Sequence, residues 1–170
     1  MILETERLIL REFSLLDAES LFALNTNPNV LQYSGDAPFT SVAASELFIC
    51  NYSSYADYGY GRWSVVLKSS NEFIGWCGIK FHPSLNYTDL GFRFFEKHWN
   101  QGYATESGRA VINYSFTQLN LKELVARVEN ENLASVRVLQ KLGFHPVQEI
   151  EFNGRLGKLL ALTNPGYSSN

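Results

Sequence analysis

Alternation of polar and apolar residues predicts strands in several separate parts of the chain. Such alternation places every second side chain on one face, as a half-buried strand requires. The predicted strands are "RLILREF", "RWSVVLK", "EFIGWCGIKF", "TDLGFRFFE", "ELVARVE" and the two arms of "VQEIEFNGRLGKLLALT". The polar turn "SSN" joins the second strand to the third, and an Asn-Gly pair joins the last two. The pattern therefore predicts two hairpins.

Other stretches follow the helical spacing of three and four residues. Asp17 predicts the cap of a short helix that carries Leu21, and Thr40 or Ser41 predicts the cap of a second short helix. A longer helix is predicted from Tyr103 to Leu119, with a narrow face of small residues: Ala104, Gly108, Val111 and Ser115.

The last predicted helix is "NLASVRVLQKLGF", with Asn132 as its N-cap and Gly143 as its left-handed end. The strand–helix–strand unit 88–129 predicts a right-handed parallel crossover, which would make the sheet mixed. We therefore expect an α/β fold in which antiparallel hairpins extend a parallel pair.

Length and charge narrow the class of protein. A chain of 170 residues predicts a single domain, which we place at 1–165 with a frayed tail at 166–170. The net charge of -3 and the pI of 5.6 argue against nucleic acid as the main partner. No stretch approaches the ~18 apolar residues of a membrane span, and Cys50 and Cys77 form no disulfide framework. We expect a soluble, cytoplasmic protein that does not bind membranes.

The stretch "WNQGYATES" (99–107) precedes the longest predicted helix with unusually small residues. It contains no GxxxxGK[ST] and one glycine where the dinucleotide fingerprint needs three, so neither nucleotide motif applies. The first-turn amides of a helix lack partners and attract anions, and small residues allow a phosphate to approach them. From this stretch alone, a phosphate site and a well-packed helix start both remain open.

A second signal lies about thirty residues further on, in "ENLASVRVLQKLGF". Asn132 and Ser135 are three residues apart, so they share a face at the start of that helix. Taken alone, the pair can also be nothing more than a helix cap.

Together, the two motifs resemble the GNAT superfamily of acetyl-CoA-dependent N-acetyltransferases. "WNQGYA" resembles the family's phosphate-binding signature from Gly102 onward, with Trp99 and Asn100 as departures from it. The resemblance is closest to the branch of ribosomal-protein alanine and serine N-acetyltransferases, and it continues through "ETERLILREF", "NPNVLQY", "GRWSVV", "FIGWCG" and "DLGFRF". It implies one twisted mixed sheet of about seven strands and about four helices. Two parallel strands, "DLGFRFF" and "ELVARVE", would splay apart in a V.

The resemblance also implies residues that bind the cofactor, acetyl-CoA. Main-chain groups of Arg93, Phe94 and Phe95 would pair with the pantetheine arm inside the V. Phe94 and Phe95 can equally be core residues, and because strand faces alternate we expect one of them to be. Asn132 would hydrogen-bond the cofactor, and the pyrophosphate would lie on the amides of six consecutive residues: Asn100, Gln101, Gly102, Tyr103, Ala104 and Thr105.

The catalytic residues follow from the chemistry together with the resemblance. The family's usual tyrosine is Leu139 here, so Ser135 is the candidate to stabilise the leaving thiolate. An ammonium must lose a proton before it attacks, and Asp89 is our first candidate for the base. Its rivals are Glu72, His82 and Glu151.

By the same resemblance, Tyr33, Trp63 and Trp76 would face the acceptor, although large rings are more often core. His82, His98 and His145 lack a metal-ligand spacing, so we expect no metal.

The predicted function is transfer of an acetyl group from acetyl-CoA directly to a primary amine. A protein N-terminus is one candidate acceptor, and a small amine such as an amino acid, a polyamine or an antibiotic is the alternative. A catalytically silent acyl-CoA sensor is the rival outside the enzyme class. The chain would act as a monomer or a homodimer.

Overall fold

The computed structural model describes residues 2–152 and 154–167, the side chain of Phe152 excepted. Across these residues, eight strands form one mixed sheet in the order β1-β2-β3-β4-β5-β6-β8-β7. The strands are β1 Leu3–Glu4, β2 Leu8–Arg11, β3 Arg62–Leu67, β4 Phe73–His82, β5 Tyr87–Phe94, β6 Glu123–Glu129, β7 His145–Phe152 and β8 Arg155–Thr163.

Six α-helices lie in the same described ranges, four of them before β3. They are α1 Ala18–Leu24, α2 Pro28–Leu31, α3 Val42–Cys50, α4 Ser54–Tyr58, α5 Tyr103–Thr117 and α6 Leu133–Lys141. Two 3-10 turns, Leu15–Asp17 and Glu96–His98, precede α1 and α5. The two helices beyond the predicted four are the short α2 and α4, and the strand beyond the predicted seven is the two-residue β1.

The predicted hairpins and the parallel pair are confirmed. β3 pairs with β4, and β7 with β8, both antiparallel. Asn153 of the predicted Asn-Gly turn lies outside the described residues. Of the predicted tail, Gly166 and Tyr167 form a turn on Asn164, and 168–170 lie outside the described residues.

Strands β5 and β6 separate soon after they meet. They run parallel, and their pairing consists of Asp89 opposite Val125. On its other edge, β5 pairs with β4 along its whole length, from Tyr87 to Phe94. The predicted V therefore exists: over residues 90–94 the β6-facing edge of β5 has no paired strand within the described residues. We call this opening the β5–β6 gap.

Each face of the sheet is covered by a different set of helices. Helix α5 packs on the face that carries Cys77 and Leu90, where the main hydrophobic cluster lies. Gly108, on the small-residue face of α5, allows close contact with the chain after α6, because a Cβ there would stand 2.7 Å from a methyl carbon of Leu142. Helices α1 and α3 cover the opposite face, where Trp76 joins a smaller cluster. We call this second side the α1–α3 face.

The predicted caps are confirmed at two helices and corrected at a third. Ser41 accepts from the amide of Ala44, and Asn132 accepts from that of Ser135. Asp17 stands before α1 but makes no cap bond with that helix. Its buried carboxylate is taken up instead by both guanidinium nitrogens of Arg11, at 2.7 and 2.6 Å. A bidentate charged pair is stronger than a single bond to an amide, so the side chain turns toward the sheet.

Candidate active site

The loop between β5 and α5 brings the start of α5 next to the end of β5. Asn100 and Gly102 adopt left-handed backbone with φ of +59° and +83°, which reverses the chain within a few residues. The indole N–H of Trp99 donates to the carbonyl of Phe94 at 2.8 Å, and Gln101 donates to the carbonyl of Lys97 at 2.8 Å. The first-turn amides of α5 therefore lie at the mouth of the β5–β6 gap.

Space for an anion is present at Gly102. A Cβ built there would meet a single atom within 4 Å, Nη2 of Arg7 at 3.5 Å. Helix α5 adds the positive end of its dipole and amides that have no partner within the helix. The start of α5 and the guanidinium of Arg7 thus border the same open space, and Nη2 of Arg7 also pairs with Oε2 of Glu106 at 2.7 Å. A helix start beside open space favours binding of an anion such as a phosphate.

Glu106 fixes the start of α5 to the amino-terminal strands, a contact that the sequence did not predict. Its carboxylate accepts from Thr5 Oγ1 at 2.6 Å, from the Arg7 amide at 3.0 Å and from Arg7 Nε at 2.7 Å. Burial alone raises the pKa of Glu106, but these bonds outweigh it and the pKa is lowered. Arg7 also lies over the ring of Tyr103, 4.4 Å from its centroid. Arg7 lies in "ETERLILREF" and Glu106 in "WNQGYATES". Their place in these two motifs is the feature of the sequence that could have indicated a shared role.

An open cavity of about 610 Å³ begins at this loop and follows α5. Arg109 and Lys141 supply cations along it, and Glu6 lies on the opposite side. Its lining residues are Thr5, Glu6, Gly102, Thr105, Glu106, Arg109, Ala110, Asn113 and Lys141.

Main-chain groups along the gap alternate in direction. The amide of Phe95 donates to the carbonyl of Ile74 in β4 at 3.1 Å. Because successive peptide groups of a strand point to opposite edges, those of Phe94 and Phe92 face the gap. Of the three residues predicted to pair with pantetheine, only Phe94 directs its main-chain groups into the gap, and its carbonyl also accepts from the indole of Trp99. The main-chain groups of Arg93 and Phe95 point toward β4, and those of Phe92 point into the gap.

The side chains of Phe94 and Phe95 point to opposite faces of the sheet, as alternation along a strand requires. Phe94 is buried in the main cluster at 5% exposure, which confirms that one of the pair is core. Phe95 packs edge-on against Phe73 in the smaller cluster, with 6.3 Å between ring centroids.

Helix α6 presents the second motif. The side chain of Asn132 accepts from the amide of Ser135 at 3.2 Å, so the capping role is real. Ser135 is half-buried, on the first turn of the helix. Leu139, at the position of the family's usual tyrosine, is a core residue with 2% exposure. Leu139 has no hydroxyl, so a hydroxyl that contacts the leaving thiolate from α6 would have to belong to another residue, such as Ser135.

Asp89 lies among Arg62, His82 and Arg127 where β5 and β6 begin to separate. Its Oδ1 is 2.7 Å from Arg62 Nη2 and 3.2 Å from His82 Nε2, and its Oδ2 is 3.7 Å from Arg127 Nη2. Burial alone raises the pKa of Asp89, but these three neighbours outweigh it and lower the pKa to about 2.

A carboxylate with so low a pKa accepts protons poorly near neutral pH. The structure thus gives Asp89 surroundings that oppose the predicted role of general base. Of its rivals, His82 is one of these three neighbours of Asp89. Glu72 pairs with Lys97 at 2.5 Å in the turn before β4, and Glu151 is exposed on β7.

The three rings predicted to face the acceptor occupy different places. Trp76 lines a cavity of about 260 Å³ on the α1–α3 face. Trp63 is 1% exposed and packs against Tyr114 beneath α5, so it is a core residue and that prediction is corrected. Trp63 lies on the α5 side because it is paired with Cys77, whereas its neighbour Ser64 is paired with Trp76 on the α1–α3 face. Tyr33 is half-buried after α2 and does not line this cavity.

The described ranges contain no group of three or more His, Cys, Asp or Glu side chains that could hold a metal ion. Within the same ranges, no helix has both the length and the apolar character needed to cross a membrane.

The family model described as an acetyltransferase (GNAT) domain matches residues 7–145, which include the loop, the gap and α6. The chain belongs to the GNAT acetyltransferase family. It is 35% identical over 144 residues to the uncharacterized N-acetyltransferase p20 of Bacillus licheniformis, covering 84% of this chain and 81% of that protein. GNAT enzymes use acetyl-CoA, and this chain is an N-acetyltransferase of that family.

Solved GNAT structures share the fold. An acetyltransferase from Bacillus anthracis superposes with a TM-score of 0.82 at 23% identity, over 96% of this chain and 99% of that one. The ribosomal-protein-S5-alanine acetyltransferase of Vibrio fischeri gives 0.78 at 18% identity, over 98% of each chain. The spermidine N-acetyltransferase of Vibrio cholerae, in complex with CoA and spermine, gives 0.77 at 22%, over 96% and 99%.

Proposed function

We propose that this GNAT enzyme transfers the acetyl group of acetyl-CoA directly to a primary amine that enters from the α1–α3 face. The observation that carries the proposal is the β5–β6 gap. The start of α5, to which we assign the pyrophosphate, lies near the end of β5 at this gap, and the cavity lined by Trp76 and Arg93 lies on the α1–α3 face beside β5. A thioester held in the gap is open to an amine from that side.

The chemistry assigns a task to each group. The nitrogen lone pair attacks the thioester carbonyl, a C–N bond forms, the C–S bond breaks, and the thiolate leaves. The carbonyl oxygen gains negative charge, which the gap-facing amides of Phe94 and Phe92 are oriented to stabilise. Ser135 on α6 would donate a hydrogen bond to the thiolate. We assign Asp89 the task of holding Arg62 against the sheet, and His82 becomes the preferred proton acceptor.

Release of free CoA thiol across an acceptor panel tests this function. The panel contains N-terminal peptides, amino acids, polyamines and amine antibiotics, each with saturating acetyl-CoA. We expect thiol release that depends on at least one amine and yields an equal amount of its N-acetyl product. Tight acetyl-CoA binding without turnover of any amine would support the silent sensor instead.

Replacing Ser135 by alanine should lower kcat by about 10-fold or more, because a hydrogen bond to a charged group is lost from the transition state. Acetyl-CoA affinity should change little, since the serine is assigned to the thiolate that forms during reaction. Stopped-flow or steady-state kinetics with equilibrium binding separates the two quantities. Gln140→Ala, an exposed change on the same helix, is the control. An unchanged kcat in the serine variant would remove Ser135 from the mechanism.

The acceptor cavity favours a compact amine over a long one. Its volume of about 260 Å³ lies below the usual range for drug-sized ligands, and four of its ten lining residues are aromatic. A protein N-terminus remains the second candidate, because one or two terminal residues would also fit. A monomer or homodimer, and a cytoplasmic location supported by the free thiols of Cys50 and Cys77, stay predictions that sedimentation and cell fractionation would check.

A further inference from the structure

The acceptor cavity carries more positive than negative charge on its wall. Among the described residues that line it, Arg62 and Arg93 are cations and Asp36 is the one carboxylate. Asn25 is polar, and the remainder are apolar or aromatic: Phe13, Leu21, Ala37, Phe39, Phe48 and Trp76. Binding of a polycation there would place ammonium groups beside guanidiniums, which costs energy.

One of the two arginines is held against the sheet by three hydrogen bonds. Arg62 donates to Asp89 Oδ1 at 2.7 Å, to the Gly78 carbonyl at 2.6 Å and to the Asp89 carbonyl at 3.1 Å. A Cβ on Gly91 would stand 2.8 Å from its guanidinium carbon, so the group lies directly on the sheet. Arg62 is thus a structural cation that shapes the cavity floor.

Arg93 is held differently. Both guanidiniums lie over Trp76, that of Arg62 at 5.4 Å and that of Arg93 at 5.3 Å from the ring centroid. Arg93, however, donates to two side chains outside the sheet, Asn25 Oδ1 and Asp36 Oδ2, the latter at 2.5 Å. The Arg93 side chain is 11% exposed, whereas that of Asp36 is 61% exposed. Asp36 belongs to the segment between α2 and α3, where residues 35–39 form neither helix nor strand. A buried, oriented cation therefore has a surface carboxylate as its outer partner.

We propose that the acceptor is an amine that also bears a carboxylate, and that this carboxylate binds Arg93 in exchange for Asp36. The inference rests on the proposed function and names the acceptor class. Guanidinium and carboxylate match in a two-bond geometry, and a charged bond inside a partly enclosed cavity gains more than the exposed pair it replaces. The aromatic rings that line the cavity contact the acceptor's apolar side chain. Arg93 lies on β5, beside the gap, so a short acceptor anchored there presents its amine to the thioester.

Binding of acetylated products to the CoA-saturated enzyme tests the proposal without needing turnover. The probes are N-acetylphenylalanine and N-acetylleucine, each paired with its counterpart without the carboxylate, N-phenethylacetamide and N-isopentylacetamide. Calorimetry should show at least about 10-fold tighter binding of the carboxylate-bearing member of at least one pair. Arg93→Gln should abolish that preference, and Arg93→Lys should retain part of it.

Asp36→Asn distinguishes an exchanged partner from a structural one. It removes the competing carboxylate, so affinity for the carboxylate-bearing product should rise, whereas loss of a structural bond would lower affinity for both members of a pair. Lys80→Gln, which removes an exposed cation on the same face, should leave the affinity for both members of each pair unchanged. Thermal unfolding confirms that each variant is folded.

Equal affinities within both pairs, no binding by any of the four probes, or weaker binding in Asp36→Asn would overturn the proposal. Failure of the proposed function is seen separately. It would appear as absence of amine-dependent thiol release across the full panel, whether or not the acetylated products bind the enzyme.

Discussion

Replacing Gly102 by aspartate should weaken acetyl-CoA binding by about 100-fold. A carboxylate at this position would stand in the open space beside the first-turn amides of α5 and Arg7, where we propose that the pyrophosphate binds. Like charges about 4 Å apart near a protein surface repel by several kcal/mol, which is enough for such a loss. The change is read as the dissociation constant for acetyl-CoA, measured by calorimetry.

Gly102→Asn is the matched control for this variant. Asparagine has the shape of aspartate without its charge, and it tolerates a φ of +83° better than most residues. We expect the asparagine variant to lose less than about 10-fold in affinity, because it keeps the backbone and adds no charge. Equal losses in the two variants would mean that shape, rather than charge, governs the site. An undiminished affinity in the aspartate variant would exclude the pyrophosphate from this loop.

Replacing Asp89 by asparagine should lower the free energy of unfolding at pH 7 by about 2 kcal/mol or more. The variant loses the pairing that holds the pKa of Asp89 at about 2, below its ordinary value of 3.8. It also leaves Arg62 without its charged partner on the sheet. Urea unfolding measured at several pH values gives the quantity.

The pH dependence gives the sign of this contribution. Because the folded pKa is lowered, the stabilisation is complete above the ordinary value and is lost as the pH falls toward 2. The difference between wild type and variant should hold from pH 7 to about 5 and then shrink. Asp36→Asn, which removes a carboxylate that is 61% exposed, should cost less than about 1 kcal/mol.

Two outcomes would contradict this view of Asp89. Unchanged stability at pH 7 would mean that the pairing of Asp89 with Arg62, His82 and Arg127 contributes nothing to folding. A large fall in kcat in a variant of unchanged stability would return Asp89 to the role of general base.

The sequence predicted the parts of the fold that depend on local pattern. Alternation identified the strands, and Ser41, Asn132 and Gly143 were recognised as helix ends because caps and left-handed stops need particular residues. The parallel pair followed from the order of the elements. Short elements such as β1 and α4 were missed, because two to five residues carry too little periodicity.

The site was predicted less completely, because its key contacts join residues far apart in the chain. Arg7 reaches Glu106, and Arg93 reaches Asp36, across intervals that no local pattern encodes. Trp63 and Trp76 illustrate the second difficulty. Both are aromatic strand residues, and only the register between strands decides that one is core and the other lines the cavity.

Direct transfer of the acetyl group from acetyl-CoA to an amine can be tested in one measurement. Enzyme, acetyl-CoA labelled with ¹³C in the acetyl group, and an amine acceptor from the panel are mixed for a single turnover and analysed by mass spectrometry. We expect the label on the amine, in equal amount to the free CoA thiol, with no labelled protein at any time. Label that first accumulates on the protein, or thiol release without an acetylated amine, would contradict direct transfer of the acetyl group to the amine.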